Sequence, residues 1–198
     1  MTMPKTQNVV TYSAILMVCA ELLLILLSWS LAATQTEGVR SLLSSEGIRW
    51  FFGQYTEVLL RPELIWLILT SMAAGVMWRS GLLGRGDQNY RRAFALRVSL
   101  VILVFLLFLC MMLVFIPHAV LLSSTGQIWP SPFSRALVLL LSLIAILTAT
   151  AYGLISRNFL SLTDICTSLI WGIERSASLF LLYVLVFHFY ESLRYVFF

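Results

Sequence analysis

The chain has 198 residues, of which 60% are hydrophobic and only 11% charged, with a mean hydropathy of +0.94. A soluble domain is about a quarter charged, so this composition excludes one and describes an all-α integral membrane protein. The net charge of +4 does not point to nucleic acid, because the basic residues flank apolar runs instead of forming a patch.

Five apolar segments are expected to cross the bilayer, which takes roughly 20 helical residues. The first, 9–33, follows Lys5 and could be mistaken for a signal peptide. It outruns a signal h-region of about 7 to 15 residues and contains Glu21, so it reads as a retained span. Next comes an amphipathic stretch, 39–55, in which Val39, Leu42, Leu43, Trp50 and Phe51 share one helical face opposite Arg40, Ser44 and Ser45, with Ile48 off the pattern. This periodicity predicts an outer surface helix lying in the interface plane. The second span, 64–83, is short; Arg79 can snorkel from its end.

The following loop carries Arg79, Arg85, Arg91, Arg92 and Arg97 against Asp87 alone, which places it in the cytoplasm. The third and fourth spans, 94–116 and 136–155, are joined by an uncharged outer connection. After them, Leu162, Ile165, Cys166, Leu169, Ile170 and Ile173 keep the i, i+3, i+4 spacing of an inner surface helix over 160–173, and Ser161 with Asp164 forms a capping box. The fifth span is 177–197. The N-terminus is then inside and the C-terminus outside an inner (cytoplasmic) membrane, with the six tryptophans near its boundaries. Cys19, Cys110 and Cys166 form no CxxC pair and read as small buried apolar side chains.

In order, these elements are span, surface helix, span, a lone third span, then span, surface helix, span. The odd count between the halves makes the second unit enter from the opposite side, the inverted-repeat frame of secondary transporters. Two sets of small residues suit close helix packing: Ser71, Ala74 and Gly75 on the second span, and Ser142, Ala145, Ala149 and Gly153 on the fourth. Packing within the chain is favoured over a subunit interface.

Glu21 is the one carboxylate well inside a span, and such a group marks a functional site, a partner contact or a protonated carboxyl. His188 on the fifth span is its candidate partner. Both residues lie about 12 positions from the cytoplasmic start of helices running the same way, hence both about 18 Å deep. A pair would respond to protons near neutral pH. The alternative is a neutral Glu21 bonded to nearby backbone and a satisfied core histidine. Glu191, one turn beyond His188, suits the outer interface, and Arg85, Arg91 and Arg92 are candidate contacts for anionic lipid. The sequence has no Ser/His/Asp set, phosphate-binding glycine loop, metal-ligand cluster or paired catalytic carboxylates, so neither an enzyme nor a cofactor is expected.

The runs VRSLLSSEGIRWFF and LIWLILTSMAAGVMWRSGLLG resemble the early part of the p-aminobenzoyl-glutamate transporter (AbgT) family. There a surface segment ending in Gly-hydrophobic-Arg-Trp leads into a Gly-containing span closed by Ser-Gly-Leu. The later run, with its Ser-Pro-Phe joint, its span ending in Tyr-Gly and its cytoplasmic surface helix, is similar to the region after that family's midpoint. The family's substrate-holding hairpins have no counterpart between Gly84 and Phe94 or after Phe198, so no substrate-binding residue carries over. The resemblance implies the scaffold and dimer-forming part of such a transporter. It predicts a homodimer or higher homo-oligomer in the lipid bilayer, acting structurally or by binding other membrane proteins. The alternative is a reduced secondary transporter of p-aminobenzoyl-glutamate or a related aromatic acid, with Glu21 and His188 coupling ions.

Overall fold

The computed structural model describes residues 5–36, 38–84, 90–115 and 132–198. The uncharged connection 116–131 and Arg85 of the basic loop lie outside the described residues. Among the described residues every regular element is helical: α1 (Lys5–Ala33), α2 (Ser45–Gly53), α3 (Tyr55–Leu59), α4 (Pro62–Arg79), α5 (Tyr90–Phe115), α6 (Pro132–Ser156), α7 (Leu162–Arg175) and α8 (Ala177–Phe197). Four of them, α1, α5, α6 and α8, are long and apolar enough to cross a membrane. In hydrocarbon every backbone polar group needs a partner, which a helix supplies from within itself. The chain is an all-α membrane protein.

The remaining expected span, 64–83, is carried by α4, which stops at Arg79 and gives way to a turn over 80–83. Pro62 sits at its first position, where its missing N–H costs nothing. With Glu63 and Arg79 at its ends, the apolar part of α4 is shorter than the other four spans.

The outer surface helix expected over 39–55 is broken instead. Residues 39–44 form a turn, and the helical part divides into α2 and α3. The Ser44 hydroxyl caps α2 by accepting the Gly47 N–H at 3.0 Å. Gly47 has no room for a side chain, because an added Cβ would lie 2.6 Å from the Leu42 carbonyl oxygen. The inner surface helix, expected over 160–173, is α7. Its Asp164 carboxylate accepts the N–H groups of Leu160 at 2.8 Å and Ser161 at 3.0 Å, the acidic half of the capping box.

The chain divides into two compact units, Met1–Ile65 with Ala177–Phe198, and Trp66–Ser176. In the first, α1 packs along α8 and α3 also lies against α8. Leu24 of α1, Leu42 of the turn and Val196 of α8 form the buried cluster, and Trp50 stacks on Tyr195 with ring centres 4.5 Å apart. Buried Ser28 accepts the Leu42 N–H at 3.2 Å, and the Arg40 N–H donates to the Val196 carbonyl at 3.0 Å.

In the second unit α5 packs along α6. Val76 of α4, Ala149 of α6 and Phe159, which follows α6, form the buried cluster. The Phe159 N–H donates to the Gly153 carbonyl at 3.0 Å, and its ring occupies the space a Gly153 side chain would need. Asn158 donates to the Ser80 carbonyl at 2.6 Å. Helices α4 and α7 meet backbone to backbone: a Cβ on Gly75 would lie 2.6 Å from the Gly172 Cα. Within this unit Ser71 and Gly75 meet α7, and Ala149 and Gly153 of the α6 set lie at the Val76–Phe159 cluster. Ser71, Gly75, Ser142, Ala149 and Gly153 are buried, Ala145 is half-buried and Ala74 is exposed. The partner of the α4 patch is a second Ser-x-x-x-Gly, Ser168 to Gly172, on α7.

The two units repeat one plan. Each buries a residue of a first span (Leu24, Ala149), a residue of the turn after it (Leu42, Phe159) and a valine of a last span (Val196, Val76). In each, the turn residue's N–H is tied back to the first span, at Ser28 or at Gly153. Each also turns through a left-handed residue just after that span, Gln35 at φ 56° and Arg157 at φ 61°.

The cysteines differ from expectation. Cys19 and Cys166 are exposed and only Cys110 is partly covered. Cys19 and Cys110 lie on the long apolar helices α1 and α5, and Cys166 on α7.

Candidate functional site

The first unit brings Glu21 and His188 together. Glu21 lies one turn before Leu24 on α1, and His188 lies on the stretch of α8 that leads to Val196, so the helix pairing that buries those two apolar residues also aligns the polar ones. His188 Nε2 is 3.8 Å from Glu21 Oε1, and the side chains are 12% and 16% exposed. That separation is too long for a hydrogen bond. Both carboxylate oxygens and both ring nitrogens are buried with no hydrogen-bond partner.

Two aromatic rings from the broken surface helix cover the pair. The Phe51 ring meets the His188 ring edge to face, with centres 4.6 Å apart at 87°, and the Tyr55 ring lies 5.4 Å from it. The helix breaks between the two rings at Gln54: Phe51 lies in the last turn of α2, and Tyr55 begins α3. The arrangement sets an acid and a base side by side under an aromatic cover, with none of their polar atoms hydrogen-bonded.

Charge gathers one turn further along α8. Arg61 pairs with Glu191, and Arg194 lies 3.9 Å from the same carboxylate. The Arg61 guanidinium also sits 5.4 Å above the Phe187 ring centre, and the Tyr183 hydroxyl donates to the Leu59 carbonyl at 3.3 Å. These contacts fasten the segment from α3 to Pro62 along α8, holding Tyr55 over His188. The expectation of a simple interfacial role for Glu191 thus gains a specific partner. Nothing in the spacing of Arg61, which adjoins Pro62 in the sequence, points to Glu191.

The three arginines grouped as lipid contacts part company. Arg91 is exposed. Arg92 turns into the second unit, donating through Nε to the buried Tyr152 hydroxyl at 2.9 Å and through a terminal nitrogen to the carbonyls of Gly81, at 3.0 Å, and Gly84. A guanidinium so engaged is a clamp on the 80–84 turn, not a free headgroup contact. Gly81 takes φ +77° in that turn, where a side chain would be strained.

Among the described residues the second unit shows no equivalent of the pair. Counting back along α6 and α4 from Ala149 and Val76, as from Leu24 and Val196 to the pair, arrives at Ile146 and Ile68. Both positions reached by this count are isoleucines, so the sequence offers an apolar choice there in place of an acid and a base. No family model, curated protein or solved structure matches this chain.

Proposed function

We propose that this membrane protein is the frame of an AbgT-type transporter without its transport core. It sits in the inner membrane with its N-terminus inside and works by forming homo-oligomers and engaging other membrane components. The observation that carries this reading is the closure of the Glu21–His188 pair. All four polar atoms are covered, and the Phe51 and Tyr55 rings occupy the approach. A coupling site for transport must exchange with water near the bilayer middle, whereas a frame can be packed dry.

A second reading, the reduced secondary transporter, is favoured by one fact: the acid and base are brought together where the equivalent positions are isoleucines. Flux of p-aminobenzoyl-glutamate into proteoliposomes separates the two. The frame reading expects no uptake above empty vesicles at any imposed proton gradient. Uptake that disappears on Glu21→Gln would establish the transporter instead. Light scattering of the detergent-solubilised protein tests the assembly, and a strictly monomeric species would remove the oligomeric part of the reading.

A further inference from the structure

The close crossing of α4 and α7 leaves a recess beside it. Gly75 and Gly172, which lack side chains because their backbones touch, form its floor. Trp78 and Trp171 stand at its sides, and Arg175, in the last turn of α7, reaches its edge; the recess holds about 420 Å³. Trp78 is 67% exposed, a large apolar surface left open beside a cation. Arg175 is also exposed, and among the described residues no carboxylate lies within ion-pair distance of its guanidinium. Its neighbour Glu174 does not line the recess.

We infer that this recess binds the headgroup of an anionic phospholipid, with Arg175 on the phosphate and the glycerol and first acyl carbons lying between the two indoles. Two features choose this occupant. Indole rings have an apolar body and a polar N–H suited to the boundary between headgroup and acyl chain. A guanidinium forms two parallel hydrogen bonds to phosphate oxygens. A zwitterionic lipid would bring its own cation towards Arg175, so net negative charge is preferred. The inference needs only that the chain sits in a membrane, and it is independent of whether the protein assembles or transports.

The test uses the full-length protein with Trp29, Trp50, Trp66 and Trp129 changed to Phe, so that Trp78 and Trp171 report alone. Their fluorescence is measured in mixed micelles containing phosphatidylglycerol or phosphatidylcholine with brominated acyl chains. One basic residue near an anionic surface corresponds to about a fivefold preference, and that preference for brominated phosphatidylglycerol is expected. It should fall to parity in Arg175→Gln and survive in Arg175→Lys. Equal quenching by both lipids, or an unchanged preference in Arg175→Gln, overturns the inference. Loss of the preference on adding millimolar inorganic phosphate would also overturn it, by showing a free-phosphate site. So would quenching that vanishes as protein concentration rises, which would give the recess to a second copy. Native mass spectrometry of the unmodified chain, counting retained phosphatidylglycerol, gives the same decision if the tryptophan-depleted protein does not fold.

Discussion

Glu21 and His188 carry a contradiction that only their surroundings resolve: two polar side chains lie in contact range, buried, with no hydrogen bond between them or to anything else. Replacing a buried polar pair by apolar groups of similar size is often neutral or stabilising, by up to about 4 kcal/mol, whereas removing one partner leaves the other stranded. At the positions reached by the same count in the second unit stand Ile146 and Ile68. We therefore expect Glu21→Ile with His188→Ile to melt no lower than the native protein in detergent, and His188→Ile alone to melt below the double variant. A double variant that unfolds at lower temperature would mean that the pair is structural. Asp164 obeys a different logic. The N–H groups of Leu160 and Ser161 accepted by its carboxylate, with a further contribution from Arg79, hold it below the ordinary value of 3.8. A carboxyl lowered on folding stabilises fully above its unfolded value and loses that contribution as pH falls through the folded one. The start of α7 should therefore open, by faster amide exchange at Ile165 and Cys166, as pH drops below about 4, where ordinary aspartate protonates. Asp164→Ala should open it at neutral pH and remove the pH dependence.

At the scale of elements, α4 and α7 depend on having no side chain where they touch. Gly75→Ala would press a methyl group onto the Gly172 backbone. Overpacking of this kind costs about 1–3 kcal/mol, and a lower melting temperature is expected. Gly53, with nothing within 4 Å of an added Cβ, is the control, and Gly53→Ala should change little. Arg92→Leu should release the 80–84 turn, read as faster proteolysis after Arg79, and lysine should not restore it because it lacks the planar fork. The contrast between these elements shows what a sequence makes visible. Span lengths follow from apolar runs, so α8 falls over 177–197 as expected, and the Ser161–Asp164 box is local enough to mark the start of α7. Small residues at helical spacing reveal that Gly75 packs closely, but not against what, since Ser168 and Gly172 lie in another helix whose apolar face draws more attention. The alignment of Glu21 with His188 was legible because depth in a span is set by counting residues. The rings of Phe51 and Tyr55 over that pair were not, because they depend on a break at Gln54 that amphipathic periodicity across 39–55 conceals. Arg92 misled for a related reason: a cluster of arginines marks the side of the membrane, while the partner of any one of them is set by tertiary contacts such as Tyr152.

The whole molecule turns on α4. If α4 crosses, there are five spans, and positions 9 and 91 face the same compartment. If its charged ends hold it short of crossing, only the four long spans remain and positions 9 and 91 face opposite compartments. Positions 91 and 198 are separated by α5, α6 and α8 in either case, and so should differ. Single cysteines at exposed Val9, Arg91 and Phe198, in a chain with Cys19, Cys110 and Cys166 changed to Ala, decide between these arrangements. With an arginine excess next to α5 set against an uncharged 116–131 connection, the frame reading expects an impermeant maleimide to reach position 198 in intact cells, and positions 9 and 91 only after permeabilisation. Labelling of position 9 from outside would reduce α4 to a half-span and remove the inverted repeat. The shared plan of the two units would then need an explanation in packing alone.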